Sequence, residues 1–95
     1  MSEKKAVRTI ISGRVQGVCF RMETELAALR FGVNGWVRNK RDGTVEAFFE
    51  GEAGDVDAMV KWCATGPPMS TVAEVAVSEE SYSGEYRDFT IRYTS

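Results

Sequence analysis

This sequence predicts an α+β sandwich, with two helices on one face of a mostly antiparallel sheet of five strands. Three observations carry that expectation. The strand-like and helix-like runs follow the order β-α-β-β-α-β-β, for which two-layer packing is the natural solution. Each helical run stops on glycine, at Gly32 and at Gly66-Pro67-Pro68, so the two helices are short and separate. A chain of 95 residues has room for one core, so residues 1–95 read as a single domain.

Residues 5–12 (Lys5-Ala6-Val7-Arg8-Thr9-Ile10-Ile11-Ser12) are rich in β-branched side chains and read as the first strand. After a glycine loop, the first helix runs from about Arg21 to Phe31. Met22, Leu26 and Leu29 form its apolar stripe at i, i+4 and i+7. Glu23 and Glu25 suit its positive end, and Gly32 is placed for a left-handed cap. Gly35-Trp36-Val37-Arg38-Asn39 makes a second strand, and Lys40-Arg41-Asp42-Gly43 a hairpin turn signalled by Asp-Gly. The third strand, Thr44 to Gly51, alternates Val45, Ala47 and Phe49 on one side with Glu46, Phe48 and Glu50 on the other. The second helix runs from about Asp55 to Thr65, with Val56, Met59, Val60 and Cys63 on one face. Val72 to Val77 reads as the fourth strand, Ser81 to Glu85 as a loop, and Phe89 to Tyr93 as the fifth strand.

The connection through the first helix is a crossover. The first and second strands should therefore run parallel, with their C-terminal ends at one edge of the sheet. That topology carries Asn39 and its basic turn towards the glycine loop and Arg21.

Composition narrows the chemistry. There is no histidine and only two cysteines, Cys19 and Cys63, so neither a transition-metal site nor a disulfide framework is expected. The usual general base near neutral pH is missing as well. No apolar run approaches the ~20 residues that a membrane span needs. The start, Met1-Ser2-Glu3-Lys4-Lys5, lacks the apolar centre of a signal peptide. A cytoplasmic protein without a membrane partner is expected. Charge is unevenly spread: residues 1–41 hold nine Lys/Arg against three Asp/Glu, and residues 42–95 hold three against eleven. Arg14, Arg21, Arg38, Lys40 and Arg41 fall in or near two loops. That placement suits a small anion better than a long nucleic acid, which would meet the acidic remainder.

The stretch Gly13-Arg14-Val15-Gln16-Gly17-Val18-Cys19-Phe20-Arg21 joins a strand to a helix. Its two glycines permit a tight backbone and close approach to a ligand, and it delivers N–H groups to a helix start, where an anion is favoured. Arg21 is a cation at the wrong end of the helix dipole, which a bound anion would explain. A glycine turn alone fits an exposed arginine at a strand–helix junction equally well.

Taken together, Gly13-Arg14-Val15-Gln16-Gly17-Val18-x-Phe20-Arg21, Gly35-Trp36-Val37-Arg38-Asn39, Asp42-Gly43-Thr44-Val45-Glu46, Gly66-Pro67-Pro68 and Asp88-Phe89-x-Ile91-Arg92 make the chain resemble acylphosphatase over essentially its whole length. The resemblance implies a ferredoxin-like α/β sandwich that hydrolyses acyl phosphates to a carboxylate and inorganic phosphate without metal or cofactor. It implies a phosphate-binding role for Arg21 and a water-orienting role for Asn39. The amides of Val15, Gln16, Gly17, Val18, Cys19 and Phe20 would cradle the phosphate oxygens.

Other residues carry weaker readings. The Thr24 hydroxyl could support Asn39 or the water, although packing is the simpler role. A nucleophilic Cys19 is disfavoured, because the cysteine-phosphatase loop needs five residues between Cys and Arg and here only Phe20 intervenes. Trp36 and Trp62 read as packing residues. One alternative is a non-catalytic anion-binding module, like the acylphosphatase-like domains of larger enzymes. Another is a ferredoxin-like RNA-binding domain using Phe48, against which Glu46, Glu50 and the lack of an RNP1 pattern argue. A small acyl phosphate as substrate, inorganic phosphate as product, no nucleic-acid partner and a monomer are expected.

Overall fold

Val7, Thr9 and Ile11 alternate with outward-facing residues and are almost wholly buried, which fixes the face of the first strand that meets the helices. The computed structural model describes residues 3–94. Met1 and Ser2, part of the polar start, and Ser95 lie outside them. The elements are β1 (Lys4–Arg14), α1 (Phe20–Phe31), β2 (Asn34–Asn39), β3 (Val45–Glu52), α2 (Ala53–Thr65), β4 (Thr71–Glu80) and β5 (Phe89–Ile91). The sheet order is β4-β1-β3-β2-β5. β3 pairs antiparallel with both β1 and β2, and β5 pairs parallel with β2. This is the ferredoxin-like α+β arrangement. Because β1 and β2 both oppose β3, they run parallel and end at the same edge.

Both helices pack on the face bearing Val7, Ile11, Val37, Val45, Ala47 and Phe49, and α2 contributes Val56, Met59 and Cys63 to that core. At the C-terminus of α2 the Gly66 N–H bonds the Trp62 carbonyl, and the prolines that follow prevent continuation. No helix among the described residues is long and apolar enough to cross a membrane.

Three expectations are corrected. The stripe Met22, Leu26 and Leu29 is exposed at 55%, 47% and 68%. The core face of α1 is instead Phe20, Thr24, Ala27 and Ala28. Two stripes compete on this helix, and the one combining an aromatic with two alanines lets the helix sit close to the sheet.

The second correction concerns Arg38, which does not add free charge near the loops. Its Nε donates to Glu46 Oε1 at 2.7 Å, while the Arg8 guanidinium takes Glu46 Oε2. Burial works to raise the Glu46 carboxyl, but the hydrogen bonds from Arg8 and Arg38 outweigh it and hold the group below the usual glutamate value. Glu46 is thus neutralised in place rather than a repulsive surface charge.

The third concerns Glu50, which was expected beside Phe48 as a charge repelling phosphates and is instead covered by residues 83–86. Glu50 is buried and accepts bonds from the Ser83 N–H and hydroxyl at 3.2 Å and the Tyr86 N–H at 3.4 Å. The Tyr86 ring lies 5.3 Å from Phe48.

Candidate active site

The site begins beyond the end of β1. Between Ser12 and Gly13 the pairing with β4 slips by one residue, leaving Ala73 of β4 as the extra residue of a bulge. Gly13 has φ 123°, and a Cβ there would come within 2.2 Å of the Thr71 carbonyl oxygen. Its smallness therefore serves the packing of β1 against β4, not ligand approach. Gly17 is the opposite case: φ is 74°, with no atom within 4 Å of a Cβ position. It meets a conformational demand and leaves the space above the loop open. Cys19, with φ 61°, is the one non-glycine at positive φ among the described residues. A non-glycine held there costs on the order of 1–3 kcal/mol.

Cys19 is also the N-cap of α1 and supplies no side-chain cap. Its carbonyl accepts the Glu23 N–H at 3.0 Å, yet the N–H groups from Gln16 to Met22 donate to no acceptor among the described residues. Helix-start amides without partners are a site for an anion. Arg21 stands in this first turn, half-buried. It pairs with no carboxylate among the described residues, unlike Lys4, Lys5, Arg8 and Arg38.

Asn39 closes β2. With Val15, Gly17, Cys19, Phe20, Arg21, Met22 and Ile91 it lines an open cleft of about 400 Å³. The structure thus brings Arg21, Asn39 and the loop into one place. Gln16 links them: its Nε2 donates to the carbonyls of Lys40 at 2.7 Å and Thr44 at 2.8 Å. Beside them, Asp42 accepts the Thr44 hydroxyl and N–H, which hold its carboxyl below the usual value.

Some sequence-predicted residues stand back from the cleft. Thr24 is buried and donates to the Phe20 carbonyl at 2.7 Å, a bond within its own helix. Val18 packs against the core, which also holds the Val15 side chain. Trp62 sits 5.9 Å from Phe20, backing the helix start. Trp36 lies between Phe48 at 6.3 Å and the Arg92 guanidinium at 4.6 Å. Met22 and Ile91 line the cleft although neither was named as a site residue. Helical periodicity assigned Met22 to packing, and the Asp88-Phe89-x-Ile91-Arg92 motif that contains Ile91 gave it no role.

Neither cysteine is set up as a nucleophile. Cys63 is wholly buried, and burial pushes its thiol up to about 12. Cys19 lacks the spacing from Arg21 that a thiol phosphatase requires. Cys19→Ala and Cys63→Ala should each keep turnover within about tenfold of the parent, a barrier change under ~1.4 kcal/mol. Cys63→Ala should also lose on the order of 1 kcal/mol in a denaturant melt by opening a small void. A trapped phosphocysteine, or abolished turnover in folded Cys19→Ala protein, contradicts this.

Comparison with known proteins adds identity to the geometry. A family model described as Acylphosphatase matches residues 7–91. An acylphosphatase of Rubrobacter xylanophilus is 57% identical over 90 residues, covering 95% of this chain and 82% of its own. The crystal structure of acylphosphatase from Bacillus subtilis superposes with a TM-score of 0.90 at 35% identity, over 94% of this chain and 99% of that one. Full-length HypF in a phosphate- and nucleotide-bound form matches 99% of this chain with 12% of its own, at a TM-score of 0.88 and 29% identity.

Proposed function

This chain belongs to the acylphosphatase family and hydrolyses acyl phosphates to a carboxylate and inorganic phosphate, and from that premise we propose how its residues do so. The phosphoryl group sits on the loop amides from Val15 to Phe20, with Arg21 gripping two of its oxygens. The planar guanidinium offers paired donors that match phosphate geometry. Asn39 holds a water through its side-chain amide, in line with the bond to be broken.

Little further chemistry is required. The carboxylate is a good leaving group, so positioning and charge neutralisation account for most of the acceleration. Water oxygen bonds to phosphorus as the phosphorus–acyl oxygen bond breaks. The carboxylate departs with that electron pair, and the water's proton passes to a phosphate oxygen. No histidine is needed for that transfer.

The observation that carries this reading is Arg21 itself: a cation without an ion pair among the described residues, in a helix start with no side-chain cap, lining the same cleft as Asn39. A purely anion-binding module would need the loop and Arg21 but not a polar amide across the cleft. We take the enzyme to work as a cytoplasmic monomer on a small-molecule substrate, with no metal, cofactor or nucleic acid. The described residues hold no group of three or more Cys, Asp or Glu placed to bind a metal ion. Hydrolysis of benzoyl phosphate should therefore survive exhaustive EDTA treatment at the untreated rate. Loss of activity that added magnesium or zinc restores contradicts metal independence. Binding of phosphate without any turnover contradicts the enzymatic mechanism in favour of the binding module.

A further inference from the structure

Gln16 lies in the phosphate-binding loop, but its side chain leaves the loop. Its Nε2 spans the hairpin that follows Asn39, donating to the Lys40 carbonyl at 2.7 Å and the Thr44 carbonyl at 2.8 Å. Both protons of the amide nitrogen are used, an arrangement open to glutamine but not to glutamate. Neither carbonyl depends on it. Lys40 O also accepts the Gly43 N–H at 3.2 Å, and Thr44 O the Lys40 N–H at 2.8 Å. The turn is closed by its own backbone, so the Gln16 bonds do not complete it. They dock the loop onto it. Among the described residues, no other hydrogen bond joins residues 13–19 to residues 39–44.

We propose that Gln16 is a positioning residue for the hydrolytic step: its amide fixes the distance between the anion-holding loop and the Asn39 strand end, so that the water meets the phosphoryl group in line. The proposal rests on the water-orienting reading of Asn39. It follows from connectivity, because the loop and Asn39 are separated by a whole helix and strand in sequence and approach each other at the two ends where Gln16 spans the gap. Misplacement on the scale of an ångström is enough to slow an oriented reaction severely.

The test is a double-mutant cycle of Gln16 with Asn39, read through kcat and the inhibition constant of inorganic phosphate. Gln16→Met keeps the length and removes both donors; Gln16→Glu keeps the shape and sets an acceptor against two carbonyls. Each should lower kcat by about ten- to a hundredfold, with phosphate inhibition nearly unchanged, because Arg21 and the amides remain. In an Asn39→Ala background neither substitution should lower kcat appreciably further. Equal losses in both backgrounds, or a loss of phosphate binding that matches the loss of kcat, overturn the proposal. If Asn39→Ala alone leaves kcat at the parent value, the reading of Asn39 fails, and with it the role assigned to Gln16. Should one Gln16 variant fail to fold, the other completes the cycle.

Discussion

Arg21→Ala is expected to lose ~10³-fold or more in kcat/KM for benzoyl phosphate, on the scale of arginines that stabilise a transferring phosphoryl group. In the proposed site Arg21 would meet substrate, transition state and product phosphate alike, so inhibition by inorganic phosphate should weaken too. The same variant should not lose stability. Arg21 makes no ion pair among the described residues and stands at the positive end of α1. Removing a cation there should leave the fold unchanged or stabilise it by about 0.3–1 kcal/mol. A thermal melt at or above the parent value, beside collapsed activity, is the signature of a residue kept for its ligand. A variant that melts early, with activity lost only in proportion, marks Arg21 as structural.

Asn39→Ala is expected to lower kcat by roughly 10²–10³, like removal of one positioned polar group. Asn39 pairs with Val45 through its backbone, which alanine can also do, so the strand end and the hairpin should hold. Phosphate inhibition should be nearly unchanged, since in the proposed site the amides and Arg21 alone dock the anion. A fall in kcat with an equal rise in the phosphate inhibition constant means that Asn39 grips phosphate rather than water.

The juxtaposition of Arg21 and Asn39 was legible before any coordinates, because it depends only on chain order and on the geometry of a crossover between parallel strands. The second helix was legible from its one apolar face: of Val56, Met59, Val60 and Cys63, Val60 is partly buried and the other three are wholly buried. The first helix carries two apolar stripes, and periodicity cannot say which one a sheet will accept. Met22, Leu26 and Leu29 are larger, but Ala27 and Ala28 permit closer packing, and this decided the matter. Gly13 and Gly17 look alike in sequence, yet one admits the Thr71 carbonyl and the other supplies a left-handed bend. That difference depends on β4, nearly sixty residues away. Glu46 reads as an outward strand position, and its burial between Arg8 and Arg38 depends on the register of three strands. The bridge from Gln16 was hidden for the same reason. Its partners are backbone carbonyls of a distant turn, and no side chain there advertises them.

The measurement that bears most directly on the central claim is the inhibition constant of inorganic phosphate for the parent, Arg21→Ala and Asn39→Ala proteins, each first shown to be folded. A site in which Arg21 holds the phosphoryl group and Asn39 holds the water predicts a steep rise for Arg21→Ala and a value close to the parent's for Asn39→Ala, with turnover severely reduced in both. An equally severe rise in the two variants would show that the residues act as one anion clamp, and the division of labour between them would be wrong.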